Sequence, residues 1–387
     1  MTVARHVTDT ERRARLAVRH ALAPSARVAT PEAVTRAMTV LHATEPATVY
    51  LSCQARSASL TAADVTRALA ADRTLVKQLA MRRTLFVFPR DLLPAAWAAP
   101  SARVAATERA RMVTDVVRAG LTTDGEDWID RACAEILATL TGEGLTTREI
   151  RALVSCGDVR LWPMFRPLSL LDANADIVRG VNTGGWHTSR PRWSLMGSWL
   201  GTLPAPLDAA TGYRELIRRW LHTFGPGTED DIVWWLGATK TAVRAALASL
   251  GAVPVSLDGG ASGYLLPDDL DEVPSPPSWA ALLPVLDPTT MGWKHRDFYL
   301  APHRAQIFDT RGNAGTTAWL DGRIVGCWTQ DPDGAVRVHP LEPVTPSQQR
   351  LLTEEADRLS AWLAGFRVSS VYRSPAMTLS GTATRTS

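Results

Sequence analysis

Apolar positions along the chain switch between helical and strand periods in an order that recurs. Near the amino terminus, Glu11 to Ala23 carries a helix-period stripe. Thr30-Pro31-Glu32 then supplies an N-cap, a proline at the first helical position and an acid in the first turn, which predicts a helix running to about His42. Tyr50 to Ser57 reads as a second helix. Thr61-Ala62-Ala63-Asp64, a capping box with Asp in the glutamate position, opens a third through Ala70. Leu75 to Met81 and Thr84 to Phe88 alternate at period two around Arg82-Arg83, the pattern of a β-hairpin with a basic turn.

A second pass shows the same order. Trp128 to Leu140, a helix opened by Thr146-Thr147-Arg148-Glu149, and another from about Pro163 to Ala173 lead to strands near Ile177 to Val181 and Arg192 to Leu195. The third pass has the clearest signals: helices over Ala209 to Phe224, Thr228 to Leu236 and Thr239 to Leu250, then strands over Val253 to Leu257 and Gly263 to Leu266. Helices followed by a hairpin are the winged-helix variant of helix-turn-helix, so three such units are predicted, over residues 1–124, 125–204 and 205–268. Their spacings differ too much for sequence repeats.

Beyond an acidic, proline-rich linker from Asp268 to Pro277 the period becomes two. Ala281 to Leu286, Ala305 to Phe308, Thr316 to Leu320, Arg323 to Thr329 and Ala335 to Pro340 read as strands, with Asp321-Gly322 and Asp333-Gly334 at bends. A small antiparallel β-barrel or sheet is predicted over 269–345. A closing helix (Pro346 to Ala364) and a final strand (Phe366 to Tyr372) fill 346–376, and the polar tail 377–387 is predicted to be disordered. The fold class is α+β.

Composition narrows the function classes. The 387 residues are 45% hydrophobic and 21% charged, a globular balance. No apolar run approaches the roughly 20 residues of a membrane span, and no secretory signal layout opens the chain, so a cytoplasmic address is expected. Cys53, Cys133, Cys156 and Cys327 are far apart and form neither a disulfide framework nor a zinc knuckle. The formal charge of +3 hides an asymmetry: residues 1–120 hold 18 Lys and Arg against 9 Asp and Glu. Such an excess attracts polyanions, though solvated surface charge is the commoner cause. Only Lys77, Lys240 and Lys294 are lysines, which fits phosphate contact or a high-GC coding bias equally.

Tandem winged helices favour nucleic acid as partner, with protein–protein modules as the alternative. Arg82 and Arg83 sit at the predicted hairpin tip, placed for phosphate contact or simply solvated. The chain lacks a Walker loop, a GxGxxG fingerprint, a GxSxG elbow, an HExxH pair and any metal-ligand spacing, so no cofactor or metal is expected. His42, followed by Thr44 and Glu45, is the one histidine whose neighbours suit holding a water; a cap on a helix carboxyl end is the plainer reading. Lys294, His295 and Arg296 are candidate polyanion contacts or a solvated turn. Trp186-His187 and Arg192-Trp193 flank the second hairpin, where an aromatic could stack on a base or belong to the core.

Five stretches carry a resemblance. They are Leu41-His42-Ala43-Thr44-Glu45-Pro46 with Ala55-Arg56, then Met81-Arg82-Arg83-Thr84-Leu85, and Leu282 to Pro288 with Trp293-Lys294-His295-Arg296. Trp319 to Trp328 and Arg373-Ser374-Pro375 complete the set. In this order, over residues 11 to 376, the chain resembles the winged-helix DNA glycosylases of the AlkZ/YcaQ type. The resemblance implies tandem winged-helix units forming a concave DNA-binding scaffold plus the small β-barrel. It implies a monofunctional enzyme of base excision repair acting, as a monomer at the bacterial nucleoid, on duplex DNA with alkylated or crosslinked purines. Members of this kind often protect antibiotic producers. In crosslink-unhooking members a glutamine, a small or apolar residue and then glutamine or aspartate stand where this chain has His42-Ala43-Thr44, and Arg83 and Phe86 replace a glycine and a histidine.

The expected catalytic residues are therefore His42 and Thr44, at the positions of the family's motif, with Arg56, Arg82, Arg83, Thr84, Arg192, Lys294 and Arg296 expected to contact DNA. An N7-alkylpurine is already cationic and leaves without a general acid. Neutral His42 would accept a proton from the attacking water, held by the Thr44 hydroxyl. Activity should then fall with acid around a histidine's usual value of about 6.5. Glu45 is the rival base, with Pro46 expected to turn it away. A non-catalytic DNA-binding protein, a lesion sensor or regulator, is the second reading, and a protein-interaction scaffold the third.

Overall fold

The computed structural model describes residues 4–154 and 167–378. The chain forms two compact units, one of residues 1–65 with 217–387 and one of residues 66–216. Among the described residues, four small sheets and a majority of short helices make it α+β.

In the first unit, His6–Val7 adds parallel to the hairpin Val253–Leu257/Ser262–Leu265. Val7, Val255, Leu257 and Leu265 form the apolar cluster of this sheet. The helix Glu229–Leu236 starts at Thr228 with a reciprocal capping box to Asp231, and Lys240–Ser249 starts at Thr239, each as predicted. The helix Pro31–Ala37 stops well short of His42. Thr39 takes a left-handed backbone (φ 63°), its hydroxyl bonded to Thr223 and the Arg219 carbonyl. A β-branched residue there ends the helix, and the chain emerges as the two-residue strand Leu41–His42. His42 is therefore not a helix cap.

The carboxyl-terminal strands depart from expectation most. Ala280–Leu283, Thr317–Leu320, Arg323–Gln330 and Val336–Pro340 pair antiparallel in sequence order, and this open sheet does not close into a barrel. Four short strands are too few to bring the edges together. The helix Pro346–Leu363 packs against both edge strands, Ala280–Leu283 and Val336–Pro340. The predicted strand at Ala305–Phe308 is instead the helical turn Arg304–Ile307, and Phe366–Tyr372 is coil. That coil is held by a side chain: Gln330 donates to the Phe366 carbonyl and accepts from Val368 N–H. Trp220, Trp279, Trp319 and Tyr299 are fully buried in this unit. His20 stacks on Trp293 at 5.7 Å, and burial pulls its imidazole down to about 3.

The second unit contains the hairpin Leu75–Ala80/Thr84–Pro89, in register from Leu75 opposite Pro89 to Ala80 opposite Thr84. Its turn, Met81–Arg83, holds Arg82 and Arg83 at φ 54° and 59°. Gly125–Thr139, Thr147–Leu153 and Pro167–Ala173 precede the strands Ile177–Asn182 and Pro191–Leu195, around a core that includes Ile136, Ile150, Leu171, Ile177 and Trp193. Thr146 and Glu149 form the predicted capping box. Pro163 to Arg166, Cys156 and most of the polar tail lie outside the described residues. The sequence reading places nothing between the hairpin and Trp128, where the long helix Ala102–Arg118 lies; Pro100, in the π-helical stretch just before it, obscures its start.

Candidate active site

The segment His42–Glu45 passes from strand to helix. Pro46 occupies the first position of the helix Pro46–Ala55, and every residue from Ala47 to Ala55 is buried. Thr48 donates to the Val285 carbonyl at 2.8 Å and Ser52 to Asp287 at 2.7 Å, which clamps the helix on the stretch 285–289. Glu45 stands at the N-cap with extended backbone, yet its side chain makes no capping bond. The carboxylate instead accepts from Ser370 Oγ at 3.0 Å and from the Val371 N–H. Half-burial pushes this carboxyl above its ordinary range, partly offset by those two bonds.

Glu45 thereby faces a cavity of about 450 Å³, a size suited to a small ligand. Leu51, Pro284, Val285, Trp328 and Met377 line its apolar part. Trp328 gives its indole N–H to the Leu283 carbonyl at 2.8 Å, so only the apolar ring faces inward. Gln330, Arg367, Ser369 and Arg373 provide polar lining. Pro46 does not turn Glu45 away, because a proline at the first helical position leaves the N-cap side chain free to point into the cavity.

The sequence-predicted residues fare differently. His42 is 7% exposed and Thr44 is exposed; neither lines the cavity. Arg56 is fully buried in a bidentate pair with Asp287 (2.7 and 2.9 Å) and also donates to Thr289 and the Ser52 carbonyl. It holds the fold rather than presenting charge to a phosphate. Arg296, 4% exposed, lies over the rings of Trp234 and Phe308 and donates to the Trp293 carbonyl. It too is a packing residue. Lys294 stays partly exposed while pairing with Asp230 at 3.1 Å.

In the second unit Arg82 is exposed at the hairpin turn, and Arg83 pairs with the largely buried Glu108 at 2.9 Å. Thr84, half-buried, opens the returning strand. Arg192 donates twice to the Gly144 carbonyl, which orients it along the sheet. Trp193 is core, its N–H bonded to Thr147. Trp186 is half-buried, edge-on to His187.

Sequence reasoning missed Arg367 and set Glu45 aside. Arg373-Ser374-Pro375 was the available signal for this face. The described residues contain no group of three or more His, Cys, Asp or Glu placed to hold a metal ion, and no helix among them is long and apolar enough to cross a membrane.

A search of curated protein sequences returned no match. Among solved structures, the Streptomyces sahachiroi DNA glycosylase AlkZ matches with a TM-score of 0.74 at 21% identity. The match covers 92% of this chain and 97% of that one, a likeness of fold. A family model described as DNA glycosylase AlkZ-like matches residues 35–362. A match over so much of the length is decisive, and the chain belongs to the AlkZ-like DNA glycosylase family.

Proposed function

We propose that the chain is a monofunctional DNA glycosylase of base excision repair that hydrolyses the N-glycosidic bond of N7-alkylated purines in duplex DNA, bulky or crosslinked adducts included. Protection of a producer from its own DNA-alkylating product fits the same chemistry. The tandem winged-helix reading goes with it: the exposed Arg82 and the neighbouring Arg83 and Thr84 are the proposed phosphate contacts of the hairpin turn, with Arg192 and Lys294 as further contacts.

The observation that supports this reading best is the turn at residues 42–45. A buried strand end and a tightly packed helix fix the segment, so that its side chains act from a rigid base. Within it His42 accepts the proton of the attacking water and Thr44 holds that water. The base leaves neutral because its positive charge is discharged as the C1′–N9 electron pair passes to it.

The test is single-turnover release from duplex DNA containing one N7-methylguanine, with alkali cleavage reporting abasic sites. Release by the wild type that disappears in His42→Ala, with binding retained, supports the assignment. Tight binding without release from this or a bulkier N7 adduct favours the non-catalytic DNA-binding reading.

A further inference from the structure

The cavity beside residues 42–45 contains a combination that the fold does not need. One half-buried carboxylate, Glu45, faces it and is spared from capping its own helix. Its orientation is fixed by two donors from the coil 366–374, Ser370 Oγ and the Val371 N–H. The same coil brings Arg367 and Arg373 to the lining, and among the described residues neither forms an ion pair. Leu51, Val285, Trp328 and Met377 supply the apolar part of the remaining wall, and Thr316, Gln330 and Ser369 add polar groups.

Structural economy does not account for this. A carboxylate half-removed from water and given no cation partner costs free energy unless a cation arrives. Two exposed guanidinium groups beside a partly apolar pocket suit phosphates at its mouth, since arginine binds phosphate through paired donors. The charge order, negative inside and positive at the edge, is that of a site for a cationic group carried on a phosphodiester chain. Resting on the glycosylase reading, we propose that this cavity is the lesion pocket: it receives the cationic nucleoside, Glu45 faces the positive charge, and Arg367 and Arg373 hold the flanking phosphates.

The charge balance explains why a fixed anion helps throughout. The lesion starts with its positive charge on the base. As the C1′–N9 bond breaks, its electron pair goes to the base, and the charge moves to C1′ and the sugar ring oxygen, as in an oxocarbenium ion. Water oxygen then bonds to C1′ from outside the cavity, whose lining includes neither His42 nor Thr44, and its proton goes to His42 as proposed above. Glu45 forms no bond; it stabilises the cation in both positions, and most strongly where charge and carboxylate are nearest.

The experiment compares binding of the full-length protein to two duplexes, one with a cationic pyrrolidine abasic analogue and one with its neutral tetrahydrofuran counterpart. N7-methylguanine release is followed in parallel. The wild type should favour the cationic duplex, and Glu45→Gln, which keeps the acceptor for Ser370 and Val371, should lose that preference by about tenfold or more. Arg373→Ala should weaken both duplexes equally and lower the salt slope by about one. A wild type that releases the base while Glu45→Gln keeps both rate and preference overturns the pocket and leaves the glycosylase reading standing. A Glu45-dependent preference without release supports the pocket and refutes hydrolysis of that lesion. Neither release nor preference refutes both.

Discussion

Replacing Asp287 with alanine tests the clamp that fixes the proposed site. Asp287 and Arg56 are both fully excluded from solvent. The carboxylate receives two bonds from Arg56, one from Ser52 Oγ at 2.7 Å and one from the Thr289 N–H at 2.9 Å. Alanine removes all four and leaves a buried guanidinium with only the Thr289 hydroxyl and the Ser52 carbonyl as neutral acceptors. Breaking one side of such a pair costs about 3–5 kcal/mol, because the remaining charge stays desolvated. Urea unfolding followed by tryptophan fluorescence, which reports on the buried Trp220, Trp279 and Trp319, should show a loss of that size.

The double variant Arg56→Met with Asp287→Leu should recover most of it, since paired apolar replacements remove both desolvated charges. The pH dependence follows from the direction of the carboxyl's shift. Burial pushes Asp287 up, but the Arg56 charge and the bonds from Arg56, Ser52 and Thr289 outweigh it, so its folded value lies below the ordinary one. Its stabilisation is complete above the unfolded value near 3.9 and is lost only as pH falls through the lower folded value. The gap between wild type and Asp287→Ala should therefore stay constant from pH 5 to pH 8. A loss under about 1 kcal/mol at neutral pH would refute the reasoning, because the pair would then be no better than a solvated one.

Two further outcomes are expected. Asp172, fully buried in the second unit beside Arg179, is raised by burial to about 6. Its contribution is fully present below about 3.8 and is lost as pH rises from there through 6, so Asp172→Asn should flatten the stability profile between about pH 4 and 6, a change on the order of 3 kcal/mol in urea unfolding; an unchanged profile would contradict the shift. Arg82→Ala should weaken DNA binding evenly across sequences and lower the salt slope by about one, measured by fluorescence anisotropy at several salt concentrations, whereas a sequence-dependent loss would argue for base contact instead.

Local signals decided much of the fold. The helix starts at Thr146 and Thr228, the hairpin around Arg82-Arg83 and the helix–helix–hairpin series from Ala209 to Leu265 are all legible because each rests on residues within a few positions of one another. The sequence also carried the family resemblance, through short ordered stretches. Burial and charge pairing are different, since they depend on partners far along the chain.

Arg56 and Arg296 look like any other basic residues until tertiary structure puts Asp287 opposite one and two aromatic rings beneath the other. The open sheet had the same strand periodicity as a barrel; the packing of the helix Pro346–Leu363 against its edges is a long-range outcome. Glu45 is the clearest case. Its sequence neighbour Pro46 suggests a helix start and nothing more, while the cavity it faces is assembled from residues up to Met377. Sequence by itself determined many of the elements, the order of those and the family, because those are set by neighbours. Only the tertiary structure decided which charges are buried supports and which one faces open space, because desolvation is a property of the whole packed chain.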